Sequence, residues 1–255
     1  MGTIKYQLIV MNKRKKPVDL TIKTKYNQNT KFITIHKNLP KVPFYLSVVG
    51  GKGSGKTLLI ANLVHKYKSI FDKGNIFIFT NSYVPTLNNL TKTREAHLFN
   101  SIYDELGNNV VEAIMDYQQE AKRQDHENME NILLIFDDFI TDSALNQRRG
   151  IFTKLWSMAR NFSISLIITS QEYMLIPAPL RKMSDNFIIY KIRNTTEKEQ
   201  MIKECELFLN EDEFLKVYNY AVKDKYNFLL CMVDENKMLR NFTDEIANED
   251  NGVLI

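Results

Sequence analysis

The sequence predicts an α/β fold of three layers with a mainly parallel central sheet. From Phe44 onward, short apolar runs of strand length alternate with stretches of helical periodicity, the pattern of a parallel sheet covered on both faces. A glycine-rich turn, "GGKGSGK", joins the first such run to the first such helix, and two adjacent acids close a later run.

Residues 1–40 are polar and lysine-rich, with alternating runs "DLTIKTKY" and "KFITIH" that predict one or two edge strands packed on the core. The ordered domain is expected over 41–240. "FYLSVV" is a β-branched and aromatic strand ending at glycine. The following "TLLIANLVHKYKSIF" repeats Leu59, Leu63, Lys66 and Ile70 at helical spacing. "NIFIFTNS" is a second buried strand. Residues 84–130 are polar, with a helix predicted from about Asn108 to Gln124. "NILLIFDDF" follows, then a helix around "RRGIFTKLWSMARN", the strand "SISLIITSQ" and the strand "NFIIYKI". A helical region at 196–223 and a strand "NFLLCMV" precede an acidic end at 241–255. Its ordinary reading is a solvated, partly frayed terminus, and a docking peptide is the alternative.

Gly50-x-x-x-x-Gly55-Lys56-Thr57 matches the P-loop in full, with a strand before it and a helix after it. A polyphosphate carries several charges, so consecutive backbone N–H groups must curl around it without side chains in the way. Gly50, Gly51, Lys52, Gly53, Ser54, Gly55, Lys56 and Thr57 are therefore the expected ATP-binding residues. Lys56 is expected on the β- and γ-phosphates and Thr57 on Mg2+. The alternative is a glycine-rich turn without a ligand.

Asp137 and Asp138 end an apolar strand. Asp137 is the expected second Mg2+ ligand. Asp138 is the expected group that orients or deprotonates the attacking water, unless it merely caps the next helix. Gln171, just beyond another buried strand, is the expected γ-phosphate sensor, with an ordinary loop glutamine as the alternative. An arginine donated by a neighbouring subunit completes such sites. Arg160, expected at the nucleotide edge of the sheet, is the first candidate, followed by Arg181, Arg148 and Arg149.

The formal net charge of +4 permits a polyanionic partner without demanding one. The two cysteines, Cys205 and Cys231, fit neither a disulfide framework nor a thiolate metal cluster, and so read as reduced. No apolar run approaches the ~18 residues of a membrane span. The chain is therefore expected to be intracellular and soluble.

In order and spacing, "VPFYLSVVGGKGSGKT", "NIFIFTNSY", "LLIFDD" and "ARNFSISLIITSQEY" resemble the DNA-packaging ATPases of poxviruses, other large DNA viruses and virophages, within the FtsK–HerA superfamily. The similarity covers roughly residues 42 to 193, about three fifths of the chain. Its more specific marks are Pro43-Phe44, the Thr80 to Tyr83 segment and the S-Q-x-Y beginning at Ser170. The resemblance implies an additional-strand-catalytic, RecA-like P-loop fold, with the sensor strand between the P-loop and acidic strands. It implies an ATPase assembled as a homo-oligomeric ring of about five or six subunits around double-stranded DNA. It makes Gln171 the sensor and supports Arg160 as the trans finger. Capsid or portal-vertex proteins are the further partners implied, and the virus factory in the host cytoplasm or the virion is the location. One departure is that many members carry Asp-Glu where this chain has Asp137-Asp138, although the poxvirus-type members carry Asp-Asp.

Candidate DNA-facing cations are Lys13 to Lys16, Lys92 with Arg94, and Lys122 with Arg123, each with a solvated surface as its alternative. The insert at 82–130 is the expected site of channel-facing loops. Two competing functions are a P-loop nucleotide kinase and a cellular or plasmid DNA-transfer ATPase. A GTP switch is disfavoured because no Asn-Lys-x-Asp element is present.

Overall fold

The computed structural model describes residues 32–71, 74–82, 85–92, 96–125, 129–139, 150–205 and 208–255. The chain divides into two units, Met1–Lys31, which lies outside the described residues, and Phe32–Ile255. The predicted strand "DLTIKTKY" falls in the first unit and is not described.

The second unit is built on strands β1 (Tyr45–Val49), β2 (Ile76–Thr80), β3 (His97–Phe99), β4 (Ile132–Asp137), β5 (Ile164–Ser170), β6 (Asn186–Ile189), β7 (Leu229–Met232), β8 (Lys237–Arg240), β9 (Asp244–Asn248) and β10 (Gly252–Val253). Its helices are α1 (Lys56–Tyr67), α2 (Pro85–Lys92), α3 (Val110–Gln124), α4 (Ile151–Met158), α5 (Ala178–Met183), α6 (Thr195–Cys205) and α7 (Glu211–Ala221). Among the described residues the sheet order is β10-β9-β8-β7-β6-β1-β5-β4-β2-β3. Strands from β6 to β3 in that order are parallel, and β7 to β10 continue the sheet antiparallel. The expected insertion of the sensor strand β5 between β1 and β4 is therefore present.

Alternation along each strand sends successive side chains to opposite faces, which creates two cores and hence three layers. Leu46, Val48, Ile78, Ile135, Ile167 and Ile188 pack with Leu59, Ile60 and Leu63 of α1. Val49, Phe79, Phe136, Ile168 and Ile189 pack on the other face with residues of α3, α4, α6 and α7. There the rings of Phe99, Phe79 and Phe136 stack across three adjacent strands at 5.3 and 5.1 Å. Burying each such side chain contributes about 1.5–3 kcal/mol.

Several expectations need correction. The described part of "KFITIH" forms no strand, only a bridge in which Ile33 and Val42 exchange backbone hydrogen bonds of 2.7 and 2.9 Å. The ladder cannot continue toward Ile35, because the next bonded pair on that side would need an N–H from Pro40. The polar stretch after residue 84 holds α2 and β3, with Leu87 and Leu90 buried. The helical region expected at 196–223 is present, as two helices, the second started by a capping box of Asn210 and Glu213. The acidic end is not a frayed terminus. Residues 244–253 supply β9 and β10, and Ile246 and Ala247 are buried against the core.

Candidate active site

Three adjacent strand ends build the site. Where β1 stops, the Gly50 N–H donates to the Ser170 carbonyl at 3.0 Å and fastens the loop to the end of β5. A Cβ at Gly50 would lie 2.6 Å from Ser54 Oγ and 2.8 Å from Tyr190 Cδ2, so crowding demands glycine there. Gly53 and Gly55 demand it for a different reason, with φ of 77° and 105° in the left-handed region.

Gly55 begins α1 without offering a side-chain cap, and no acid lies in the first turn of the helix. The first amides and the positive end of the helix dipole are thus left for an external anion. Ser54 Oγ is buried without a hydrogen-bond partner among the described residues, another polar group suited to such a ligand. Lys56 is buried and its Nζ donates to the Gly50 carbonyl. Burial lowers the pKa of its ammonium, while Asp138 and Asp137 oppose that shift. The cradle fits a polyphosphate, with glycine where bulk would intrude and a cation folded against it.

At the end of β4, Asp137 is buried and accepts from Thr169 Oγ1 of β5 at 2.8 Å. The same oxygen accepts from the Asp138 N–H at 3.0 Å. One hydroxyl on the sensor strand therefore positions both acids. Burial raises the pKa of Asp137, Thr169 opposes this, and the charge of Asp138 adds to it. A divalent cation would reverse that balance, since it favours both acids as anions. Thr57 and Asp137 each carry the kind of hard oxygen that Mg2+ takes.

Asp138 adopts φ 47°, a left-handed turn that takes it off the strand. Its Oδ2 accepts from Nε2 of the exposed Gln171 at 3.3 Å. The acid and the residue expected as sensor therefore meet directly, two polar groups side by side at adjacent strand ends.

The arginines are placed differently from expectation. Arg160 precedes β5, and β5 runs parallel to β1, with Tyr45 opposite Leu166 and Val49 opposite Ser170. It lies at the edge opposite the P-loop, about 20 Å of strand away from Gln171. Its guanidinium pairs with Asp185 and, at 3.6 Å, with Asp234, and it sits 5.0 Å above the Tyr45 ring. Arg181 is buried, bonded by Nε and Nη2 to Glu204 at 2.7 and 3.0 Å and by Nη1 to the Ile176 carbonyl. Arg148 and Arg149 lie outside the described residues. Arg193, which follows β6 at the P-loop edge, is exposed and escaped the sequence reading.

Of the DNA-facing candidates, Lys122 donates to the Asn161 carbonyl at 2.9 Å and Arg123 pairs with Glu120 at 3.3 Å. Lys13 to Lys16, the Lys92 side chain, Arg94, and Tyr83 of the family segment lie outside the described residues. The loop 101–109 holds Asp104 and Glu105 and no lysine or arginine. Among the described residues no helix is long and apolar enough to cross a membrane.

Thr169 lies inside the run "SISLIITSQ", and its role shows only once β5 is set beside β4. Tyr190 and Tyr226, which lie against the P-loop, carry no local signal at all.

The family described as poxvirus A32 protein matches residues 29–244. A monkeypox virus relative named DNA packaging protein OPG160 is 27% identical over 214 residues. The match takes in 79% of this chain and 65% of the relative, so the chain spans about two thirds of that protein's length. The genome packaging NTPase B204 of Sulfolobus turreted icosahedral virus 2, solved with ATP-gammaS, superposes with a TM-score of 0.54 at 16% identity, covering 78% of this chain and 96% of that one. B204 of Sulfolobus turreted icosahedral virus, described as a DNA-packaging ATPase, gives 0.55 at 18% identity, covering 78% and 97%. At these identities the likeness establishes the fold.

Proposed function

Because the chain belongs to the poxvirus A32 protein family, we propose that it is an ATP-hydrolysing motor that translocates double-stranded DNA and packages a viral genome into a preformed capsid. The observation that carries the proposal is the convergence of Lys56, Asp137 and the Asp138–Gln171 pair on three adjacent strand ends. The names of the packaging relatives supply the DNA.

In this reading the loop from Gly50 to Thr57 wraps the phosphates, and Lys56 exchanges the Gly50 carbonyl for β- and γ-phosphate oxygens. Thr57 and Asp137 would hold Mg2+, which when bound neutralises charge on the terminal phosphates. Gln171 orients a water and Asp138 accepts its proton as the water oxygen attacks the γ-phosphorus. The bond from that phosphorus to the bridging oxygen breaks, leaving ADP and inorganic phosphate. Thr169 keeps the two acids in register through its single hydroxyl, which donates to the Asp137 carboxylate and accepts from the Asp138 backbone N–H.

A cation from a neighbouring subunit completes such chemistry. Arg160 can serve only from another copy, and only after leaving Asp185 and Tyr45. Arg193 has no ion pair among the described residues and already stands at the P-loop edge. In assembled protein, comparing turnover of Arg160→Ala with Arg193→Ala decides between them.

The test of the whole reading is phosphate release from ATP with and without double-stranded DNA. Stimulation by DNA supports a motor. Release that requires a nucleoside monophosphate acceptor would instead identify a kinase.

A further inference from the structure

The acids lie on the β5–β4 side of the P-loop strand, so a triphosphate whose last phosphorus faces them directs its base toward β6 and β7. On that side, the turn between α7 and β7 comes over the loop. A Cβ added at Gly55 would lie 3.6 Å from Tyr226 Cδ1. Tyr226 is 58% exposed, a large apolar ring left in solvent beside the cradle.

Its backbone is also costly, with φ 70°. A bulky aromatic residue in the left-handed region is an outlier, and such strain persists only where the surroundings hold it. Here they do. Asn227 N–H donates to the Asp224 carbonyl at 3.3 Å, and the Asp224 carboxylate accepts from Arg240 at 2.6 Å. Asn241 then ties the turn to β7 through the Phe228 N–H, at 3.3 Å, and the Phe228 carbonyl, at 3.0 Å. The Lys225 ammonium lies 4.7 Å over the Tyr226 ring, so the exposed ring carries a cation beside it as well as the loop.

We propose that Tyr226 is a stacking platform for the purine base of the nucleotide, held beside the P-loop by a turn that a glycine would enter more readily. The inference rests on the nucleotide-binding reading of that loop. It adds the feature that distinguishes a nucleotide from bare polyphosphate.

The experiment measures the affinity of Mg-ATP and of magnesium tripolyphosphate, the latter lacking a base, for the full chain and for Tyr226→Gly and Tyr226→Phe. Tyr226→Gly should weaken ATP about tenfold, the size of one base–aromatic stack, and leave tripolyphosphate unchanged. Its Tm should hold or rise, because glycine adopts this φ without strain. Tyr226→Phe should keep ATP affinity within about twofold, since it keeps the ring. Unchanged ATP affinity in Tyr226→Gly would overturn the platform. Equal loss of both probes would also overturn it, showing a structural role while sparing the P-loop reading. If the wild-type chain binds neither probe, both readings fall together.

Discussion

The two ends of the parallel strands handle charge in opposite ways. At the P-loop end, Lys56 donates only to a carbonyl of its own loop and feels both carboxylates through space without an ion pair, while Asp137 and Asp138 also face each other's charge. At the other end, the Arg160 guanidinium lies against the Asp185 carboxylate and two aromatic rings. A charged group already matched by its neighbours is part of the scaffold. One held close to a like charge, with its counter-charge nearby but not paired to it, is suited to a ligand that completes the balance.

The contrast breaks first at Lys56. Lys56→Ala should lower kcat/KM for ATP on the order of a thousandfold by phosphate release while the protein stays folded. Asp138→Asn keeps the shape and the left-handed turn. It should lower kcat by about a hundredfold or more and leave Mg-ATP affinity nearly unchanged by titration calorimetry. If turnover survived, Asp138 would belong to the scaffold as well.

The opposite end should respond in stability instead. Arg160→Ala should cost about 1–3 kcal/mol in urea unfolding, between the values for exposed and buried pairs, with Mg-ATP affinity intact. The smallest effect concerns pH. Burial raises the Asp185 carboxyl to about 6, outweighing Arg160 and the hydrogen bond from the Tyr45 N–H. A folded pKa above the unfolded value of 3.8 means that this group's stabilising contribution is complete below pH 3.8 and is lost as pH rises through 6. Asp185→Asn should flatten that part of the stability profile between pH 4 and 6, read by urea midpoints.

What could be read from the sequence follows the range of the interactions involved. The P-loop, the acid pair and Gln171 each sit at a junction of local patterns, so their residues and elements were legible together. Arg160 was recognised as ending a helix before β5. Its edge of the sheet depends on strand direction, however, and a parallel strand begins at the far side. β9 and β10 are short and polar, and only pairing with β8 makes them strands, so "DEIANEDNGV" looks like a tail by itself. β3 spans only three residues beside β2, too few for a period to show. Tyr190 and Tyr226 meet the P-loop across more than a hundred residues of chain, which no local pattern encodes.

The positive φ at Asp138 bears on which acid can stand there. Among non-glycine residues, aspartate and asparagine enter that conformation several times more readily than most, because a short polar side chain can bond locally. A glutamate would gain reach and lose that ease. The choice of the shorter carboxylate at the end of β4 is thus a consequence of how the main chain bends.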